Sequence, residues 1–229
     1  MAPSLLDLPG EIRNQVYTHL LVRTSPVYLY SKKGLAPSIL YTNKTIHQEV
    51  RSILYSCNCL DLTSGFIATR DFLRAIGRDN AALIQSVRIF FPGVMGMLED
   101  DDEEEEEEVT SGNIQSKMVG FLASHGVRPR RIMTTWQSST GLIRQLDSLG
   151  DMDSVHETLV PLNARFRSSE LTREIVVEVY HDIISKDVER AMQSYGWEVR
   201  RVVRHYNSAE EKDAILANGE QYYFYAADI

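Results

Sequence analysis

Residues 173–180 read Arg-Glu-Ile-Val-Val-Glu-Val-Tyr, and this stretch decides the fold class. Positions 175, 177 and 179 are all aliphatic, and this period of two predicts a strand with at least one buried face. The spacing downstream predicts a helix over residues 187–195 and another strand over residues 197–204. The strand–helix–strand unit fits either a split βαβ crossover or an antiparallel pair, and both alternatives stay open.

The rest of the chain supplies helices before and after a few short strands. Apolar spacing predicts helices over residues 8–22, 37–55, 66–76, 114–124 and 136–149. Short strands are predicted over residues 26–30, 58–63 and 87–91, and a last one over residues 220–225. This order predicts an α+β fold in which N-terminal helices pack with a small mixed sheet and flanking helices.

The first helix has an apolar stripe. Pro9 suits the first turn of a helix because its missing N–H would have no partner there. Apolar side chains then recur at fourfold spacing, the spacing that places residues on one helix face; they are Leu8, Ile12, Val16 and Leu20. Such a stripe packs against the helix's own domain or against a partner, and the pattern alone leaves both alternatives open.

The net charge of −8 is concentrated in one segment. Residues 99–108 are an unbroken run of carboxylates, and without that run the acidic and basic residues nearly balance. Like charges repel one another and bury nothing, so residues 96–112 are predicted to form a disordered acidic loop inserted in the domain. No extended basic surface with interleaved aromatic residues is present, so a nucleic-acid partner is not expected.

The cysteines and the hydropathy pattern indicate an intracellular protein. Only two cysteines occur, Cys57 and Cys59, which is too few for a disulfide framework or a tetrahedral zinc site. No run approaches the roughly 18 apolar residues of a membrane span, and the first residues lack the features of a signal peptide. The expected location is cytoplasmic or nuclear, without membrane association.

No catalytic motif is present. The chain lacks Gly-x-Ser-x-Gly, a phosphate-binding loop and His-Glu-x-x-His. His181-Asp182 stands without further ligands nearby in sequence, and Asp151-Met152-Asp153 is interpreted as a solvated loop and helix cap. We therefore predict no catalytic residue, no cofactor and no metal site, and the chain is not expected to be an enzyme.

The N-terminal segment resembles the start of an F-box. Leu8, Pro9, Glu11 and Ile12 match its Leu-Pro-x-Glu-Ile opening, and Val16 and Leu20 match in character. The following stretch, residues 41–50, has no Trp and no Cys, so it departs from the standard second block. It is similar instead to a group of uncharacterised fungal F-box-like proteins. The motifs that carry this likeness are Ile53-Leu54-Tyr55-Ser56-Cys57-Asn58, Leu60-Asp61-Leu62 and Ser86-Val87-Arg88-Ile89.

The resemblance covers roughly residues 5–91 and implies a function. F-box proteins dock this helix on the adaptor subunit of a cullin-RING ubiquitin ligase and hold a substrate elsewhere. It therefore implies an F-box-like segment over residues 1–58 and an α+β partner-binding region over residues 59–229. The expected partner-binding residues are Leu8, Pro9, Ile12, Val16 and Leu20. The alternative is a stand-alone scaffold or regulatory domain whose first helix lies in its own core.

Overall fold

The computed structural model describes residues 4–29, 37–91, 111–168, 171–180 and 183–202. Within these ranges the chain forms eight α-helices and six strands. The helices are α1 (Gly10–Leu21), α2 (Lys44–Cys57), α3 (Phe66–Ile76), α4 (Arg78–Ala81), α5 (Ser111–Ser124), α6 (Trp136–Ser148), α7 (Met152–Phe166) and α8 (Lys186–Ser194). The strands are β1 (Val27–Tyr28), β2 (Cys59–Asp61), β3 (Ser86–Ile89), β4 (Arg131–Thr134), β5 (Glu174–Tyr180) and β6 (Trp197–Val202). Short 3₁₀ helices at Leu5–Asp7 and Pro37–Tyr41 precede α1 and α2.

The strands form one sheet whose order follows the sequence, from β1 at one edge to β6 at the other. Every pairing between these strands is parallel. Parallel neighbours need a crossover, and at least one helix stands in each connection. Because such crossovers are right-handed, a sheet with sequential strand order places its crossover helices on one face.

The main core lies between that face of the sheet and the helices. One row of buried residues runs across β2 to β6 in register; these are Leu60, Val87, Ile132, Ile175 and Trp197. The row belongs to a single hydrophobic cluster that also includes side chains of α3 to α8. Phe91, Phe166 and Trp197 meet within this cluster at ring-centroid distances of 5.4 to 6.0 Å.

A second, smaller cluster joins α1 to α2. Its buried members are Tyr17 and Leu21 from α1 and Ile46, Val50 and Leu54 from α2. Tyr55, the next residue of α2, packs against both clusters. The residues that precede β1 are thereby connected to the main body through α2.

The predicted combination of helices with a small sheet is confirmed. The unit from β5 through α8 to β6 is a parallel βαβ crossover between adjacent strands, so it is neither the antiparallel pair nor the split unit that the pattern left open. The expectation of a mixed sheet is wrong for the described strands, because all of them run parallel. Strand direction depends on how each connection crosses the sheet, and residue alternation carries no information about it.

Strand β4, helix α7 and the four-residue helix α4 were not predicted from the sequence. Strand β4 begins at Arg131, which belongs to a basic cluster that reads as surface, yet Ile132 is completely buried. Helix α7 contains Pro161, a residue that breaks most helical patterns. The predicted cap is confirmed, because Asp151 is the N-cap of α7 and its carboxylate accepts a 2.8 Å hydrogen bond from the Ser154 amide. The hydrogen bonds from Ser154 lower the pKa of Asp151.

Several boundaries differ from expectation. The helix predicted from residue 37 is split, since a 3₁₀ helix ends at Tyr41 and Asn43 then caps α2 by accepting from the Thr45 amide. Helix α5 begins at Ser111, so residues 111 and 112, which were predicted to belong to the acidic loop over residues 96–112, are helical. The carboxylate run at 99–108 and the strand predicted over 220–225 lie outside the described residues.

Candidate partner-binding surface

The residues before α1 form a short structured lead into it. Ser4 caps the 3₁₀ helix Leu5–Asp7 through a reciprocal capping box, in which the Asp7 carboxylate accepts from the Ser4 amide at 2.7 Å. Pro9 is then the N-cap of α1, and the carbonyl of Pro9 accepts from the Ile12 and Arg13 amides. The Leu-Pro pair is thus held in an extended conformation where the helix starts.

One side of α1 is covered by α2. Tyr17 and Leu21 are completely buried, although the stripe predicted from the sequence runs through Ile12, Val16 and Leu20. Residues 17 and 21 are four apart, so they lie on one helix face, beside the predicted stripe. The inward face of α1 is therefore displaced by one residue from the face that fourfold apolar spacing predicts.

A polar network fixes α1 to α2 beside this contact. Arg13 donates from Nε to Oε2 of Glu49 at 3.0 Å, and the Tyr17 hydroxyl donates to the same oxygen at 2.9 Å. The hydrogen bond from Arg13, followed by the one from Tyr17, lowers the pKa of Glu49. Arg13 also donates from Nη1 to the carbonyl oxygen of Leu8 at 2.7 Å, so the same side chain holds the residues ahead of α1.

Asn58 locks the other ends of the two helices together. Its amide nitrogen donates to the carbonyl oxygens of Leu21 and Leu54 at 2.9 and 2.8 Å, which are late residues of α1 and α2. Its amide oxygen accepts from the Arg23 backbone at 2.9 Å. Asn58 is only 1% exposed, so the Asn of the Ile-Leu-Tyr-x-x-Asn block has a structural role here.

Four residues at the start of the same segment are both apolar and exposed. Ile12 is 42% exposed, Leu8 38% and Leu6 37%, and Pro9 is exposed as well. We call these four residues, Leu6, Leu8, Pro9 and Ile12, the α1 ridge. They follow one another closely at the start of a helix whose position is fixed at both ends. An apolar surface held rigidly in this way is suited to a groove in another protein.

The five residues predicted as a partner-binding set divide into two groups. Leu8, Pro9 and Ile12 are exposed, whereas Val16 is half-buried. Leu20 is half-buried and packs against the cluster between α1 and α2, so this residue serves the fold. Leu6 was missed because it does not belong to the fourfold series 8, 12, 16 and 20; its signal was an apolar residue two positions before Leu8.

A shallow pocket of about 220 Å³ lies between α7 and α8. Several of its polar side chains make hydrogen bonds or ion pairs with nearby residues. The Ser194 hydroxyl donates to the Ala191 carbonyl at 2.7 Å, Asp187 pairs with Arg190 at 3.1 Å, and His156 Nδ1 lies 3.0 Å from the Tyr195 hydroxyl. Neither of these two hydrogen bonds joins Ser194 to His156.

The described ranges contain no candidate metal site and no candidate membrane span. No group of three or more His, Cys, Asp or Glu side chains there could hold a metal ion. His181 and Asp182 lie outside those ranges. The described helices include none with the length and apolar character needed to cross a membrane. Cys57 and Cys59 are both free thiols.

Comparison with known proteins found no matching family model, curated protein or solved structure.

Proposed function

We propose that this chain is a non-enzymatic protein-interaction protein of the F-box type, which docks the α1 ridge on the adaptor subunit of a cullin-RING ubiquitin ligase. The observation that carries the proposal is the contrast within one helix. Ile12 is 42% exposed on α1, while Tyr17 and Leu21 of the same helix are completely buried. Helix α1 therefore presents a free apolar edge while being anchored by its other face.

The rigidity of the segment supports the same proposal. Arg13, Glu49 and Asn58 hold both ends of α1, so docking would order few additional side chains and would cost little conformational entropy. An apolar ridge that is both exposed and fixed is typical of binding by a helix in a groove. The free cysteines accord with the cytoplasmic or nuclear location that this partner requires.

The α+β region would hold the second partner, a substrate protein. Its sheet and the helices packed on one face of that sheet offer surfaces whose residues lie far along the chain from the α1 ridge. No residue of this region is assigned to substrate contact.

A binding measurement with the purified adaptor subunit tests the docking. The native chain should be retained by the adaptor, and a Pro9→Ala, Ile12→Asp double variant should bind at least about 30-fold more weakly, the loss typical of removing central apolar contacts. Ile67→Asp on α3 is the matched control, since Ile67 is 66% exposed and distant in sequence from the α1 ridge. Both variants must first show the native unfolding transition.

The alternative predicts a different outcome. A stand-alone scaffold or regulatory domain would show no adaptor binding by the native chain at concentrations up to about 100 µM, the range of weak interfaces. Equal loss of binding in the Ile67→Asp control would also contradict docking through the α1 ridge.

A further inference from the structure

A basic segment leads into strand β4 at the edge of the sheet where that strand begins. Arg128 and Arg130 are exposed, whereas Pro129 between them is buried. The backbone is anchored on both sides of the segment. Ahead of it, the completely buried Val127 donates its amide to a carbonyl of α5 at 2.9 Å. At its end, the Arg130 amide donates to the Gln85 carbonyl, which directly precedes β3, at 2.8 Å. Both arginines therefore extend from a fixed backbone.

A second segment leads into β5 and shows the same alternation. Leu171 and Arg173 are exposed, and Thr172 between them is only 5% exposed. The Thr172 hydroxyl donates to the Pro129 carbonyl at 3.0 Å, and the Arg173 amide donates to the Arg130 carbonyl at 2.8 Å. These hydrogen bonds hold the two segments side by side, although more than forty residues separate them along the chain.

The pairing of the two segments places arginines next to one another. Arg131 is opposite Glu174 in the register of β4 and β5, and one step back the same register places Arg130 beside Arg173. Neighbouring strands lie about 4.8 Å apart, and residues two apart along an extended chain lie about 6.6 Å apart. Arg128, Arg130 and Arg173 therefore fall within one small area. We call these three residues the arginine platform.

The positive charges of the arginine platform are not balanced within the described ranges. No carboxylate of those ranges forms an ion pair with any of its three residues. Glu174, the carboxylate that follows Arg173, pairs with Arg131 at 3.5 Å. Like charges at neighbouring positions of adjacent strands repel one another, so this arrangement is electrostatically unfavourable without a ligand. Unpaired guanidinium groups on a fixed backbone favour a ligand that brings negative charge.

We propose that the arginine platform binds an extended acidic segment of a partner protein, with carboxylates at every second position. The side chains on one side of an extended peptide repeat about every 6.6 Å, which matches the spacing of Arg128 and Arg130. Each guanidinium group can hold a carboxylate through two parallel hydrogen bonds, which fixes orientation as well as supplying charge. Leu171 lies beside Arg128 in the same register and is 45% exposed, so it offers an apolar contact next to those carboxylates.

The chemistry of the arginine platform favours a peptide over a nucleic acid. Proteins that bind single strands combine a basic groove along the backbone with aromatic side chains on which the bases stack. Residues 127–130 and 171–173 contain no aromatic side chain. The inference goes beyond the proposed function and does not rest on it, because the arginine platform and the α1 ridge belong to different elements.

Fluorescence anisotropy with a synthetic peptide tests the proposal on the full-length chain. The probe is a labelled peptide of about ten residues in which Glu alternates with Ser, with one Ser replaced by Leu. At about 50 mM salt, where screening is modest, we expect a dissociation constant of about 100 µM or lower. The same peptide with Gln in place of every Glu keeps its length and loses its charge, so it should bind at least about tenfold more weakly.

Paired substitutions locate the binding site. Arg130→Ala combined with Arg173→Ala should weaken binding of the acidic peptide at least about tenfold. Arg144→Ala combined with Arg190→Ala is the matched control, because it removes the same positive charge from exposed positions on α6 and α8. This control pair should change the affinity by less than about twofold. All four side chains are exposed, so each variant should keep the native unfolding transition.

A charge-conserving variant separates carboxylate pairing from net charge. Arg130→Lys combined with Arg173→Lys keeps the charge and loses the planar fork, so it should bind the acidic peptide about threefold more weakly than the native chain. Unchanged affinity in this variant would overturn the assignment of paired carboxylates.

Three further results would overturn the proposal. They are a dissociation constant for the acidic peptide above about 1 mM, an equal loss of affinity in the control pair, and tighter binding of a single-stranded oligonucleotide of the same net charge. The ligase adaptor is absent from this assay, so failure here is distinguishable from failure of docking through the α1 ridge.

Discussion

Arg88 on β3 forms an ion pair with Glu178 on β5, with 2.7 Å between Nη2 and Oε2, although β4 lies between the two strands. The arginine side chain passes over β4 to reach Glu178, and Nη1 of the same side chain pairs with Asp61 on β2. One cation thereby connects three strands, β2, β3 and β5, across β4. Separations of 27 and 90 residues along the chain make this a contact that only the tertiary fold creates.

Removing Glu178 should be far more costly than removing an exposed carboxylate. Glu178→Ala leaves Arg88 buried with one acidic partner, and we expect a loss of about 3 kcal/mol in the free energy of unfolding. Glu198→Ala is the matched control, because Glu198 pairs with Arg200 at 2.8 Å but is 54% exposed, and such pairs contribute below about 1 kcal/mol. Chemical denaturation of both variants measures the difference, and equal losses would contradict a buried role for the pair.

Asn58→Ala should destabilise the contact between α1 and α2. The side chain makes three hydrogen bonds, and its loss strands the buried carbonyls of Leu21 and Leu54, for an expected cost of about 2–4 kcal/mol. Asn43→Ala removes only the cap of α2 and should cost about 1 kcal/mol. Urea unfolding followed by circular dichroism compares the two. A loss in the free energy of unfolding for Asn58→Ala that is no larger than the loss for Asn43→Ala would contradict the role of Asn58 in holding α1 to α2.

The Glu49 network should make stability depend on pH in the acid range. Hydrogen bonds from Arg13 and Tyr17 lower the pKa of Glu49 below its ordinary 4.5. A carboxylate with a lowered folded pKa contributes stability above its unfolded pKa and loses that contribution as pH falls through the folded value. The stability gap between the native chain and Glu49→Gln should therefore be full near pH 7 and shrink below about pH 4.5.

Unfolding curves measured at several pH values from 7 to 3 check this behaviour. Tyr17→Phe removes one hydrogen bond to Glu49 and retains the one from Arg13. The stability gap between the native chain and Tyr17→Phe should therefore change less with pH than the gap for Glu49→Gln. A gap for Glu49→Gln that stays constant, or widens toward low pH, would show that Glu49 carries no such linkage.

The two sides of α1 should respond differently to truncation. Leu21→Ala opens a cavity at a completely buried position and should cost about 3 kcal/mol. Ile12→Ala removes an exposed side chain and should change stability by less than about 0.5 kcal/mol. Thermal and chemical unfolding measure both. A large cost for Ile12→Ala would mean that the α1 ridge is part of the core, and F-box docking through it would lose its support.

Local patterns in the sequence predicted many elements. The period of two in residues 174–180 and the helical spacing of 66–76 correspond directly to β5 and α3, because alternation and fourfold spacing reflect backbone geometry. The cap at Asp151 was likewise visible, since an acidic side chain ahead of a helix needs only a local amide partner. Helix α7 was not predicted because Pro161 disfavours a helix locally. In the structure, tertiary packing of Leu159, Leu162 and Phe166 overrides that preference.

The sequence predicted only part of the candidate partner-binding surface. Fourfold spacing placed Leu8 and Ile12 on one stripe, and these residues are exposed. The same spacing included Leu20, which packs inward, and it omitted Tyr17, whose ring is buried and whose hydroxyl meets Glu49 from another helix. A stripe of apolar residues does not reveal which of its edges faces a neighbour, because that depends on the angle at which two helices pack.

The sequence by itself determined where most of the helices and strands lie, because those preferences arise from spacing and from caps within a few residues. The tertiary structure decided that all described strands run parallel in sequential order, that α1 turns Tyr17 inward and Ile12 outward, and that Arg88 reaches Glu178 across β4. Each of these depends on contacts between residues far apart along the chain. Such contacts form only when whole elements pack, so no local pattern specifies them.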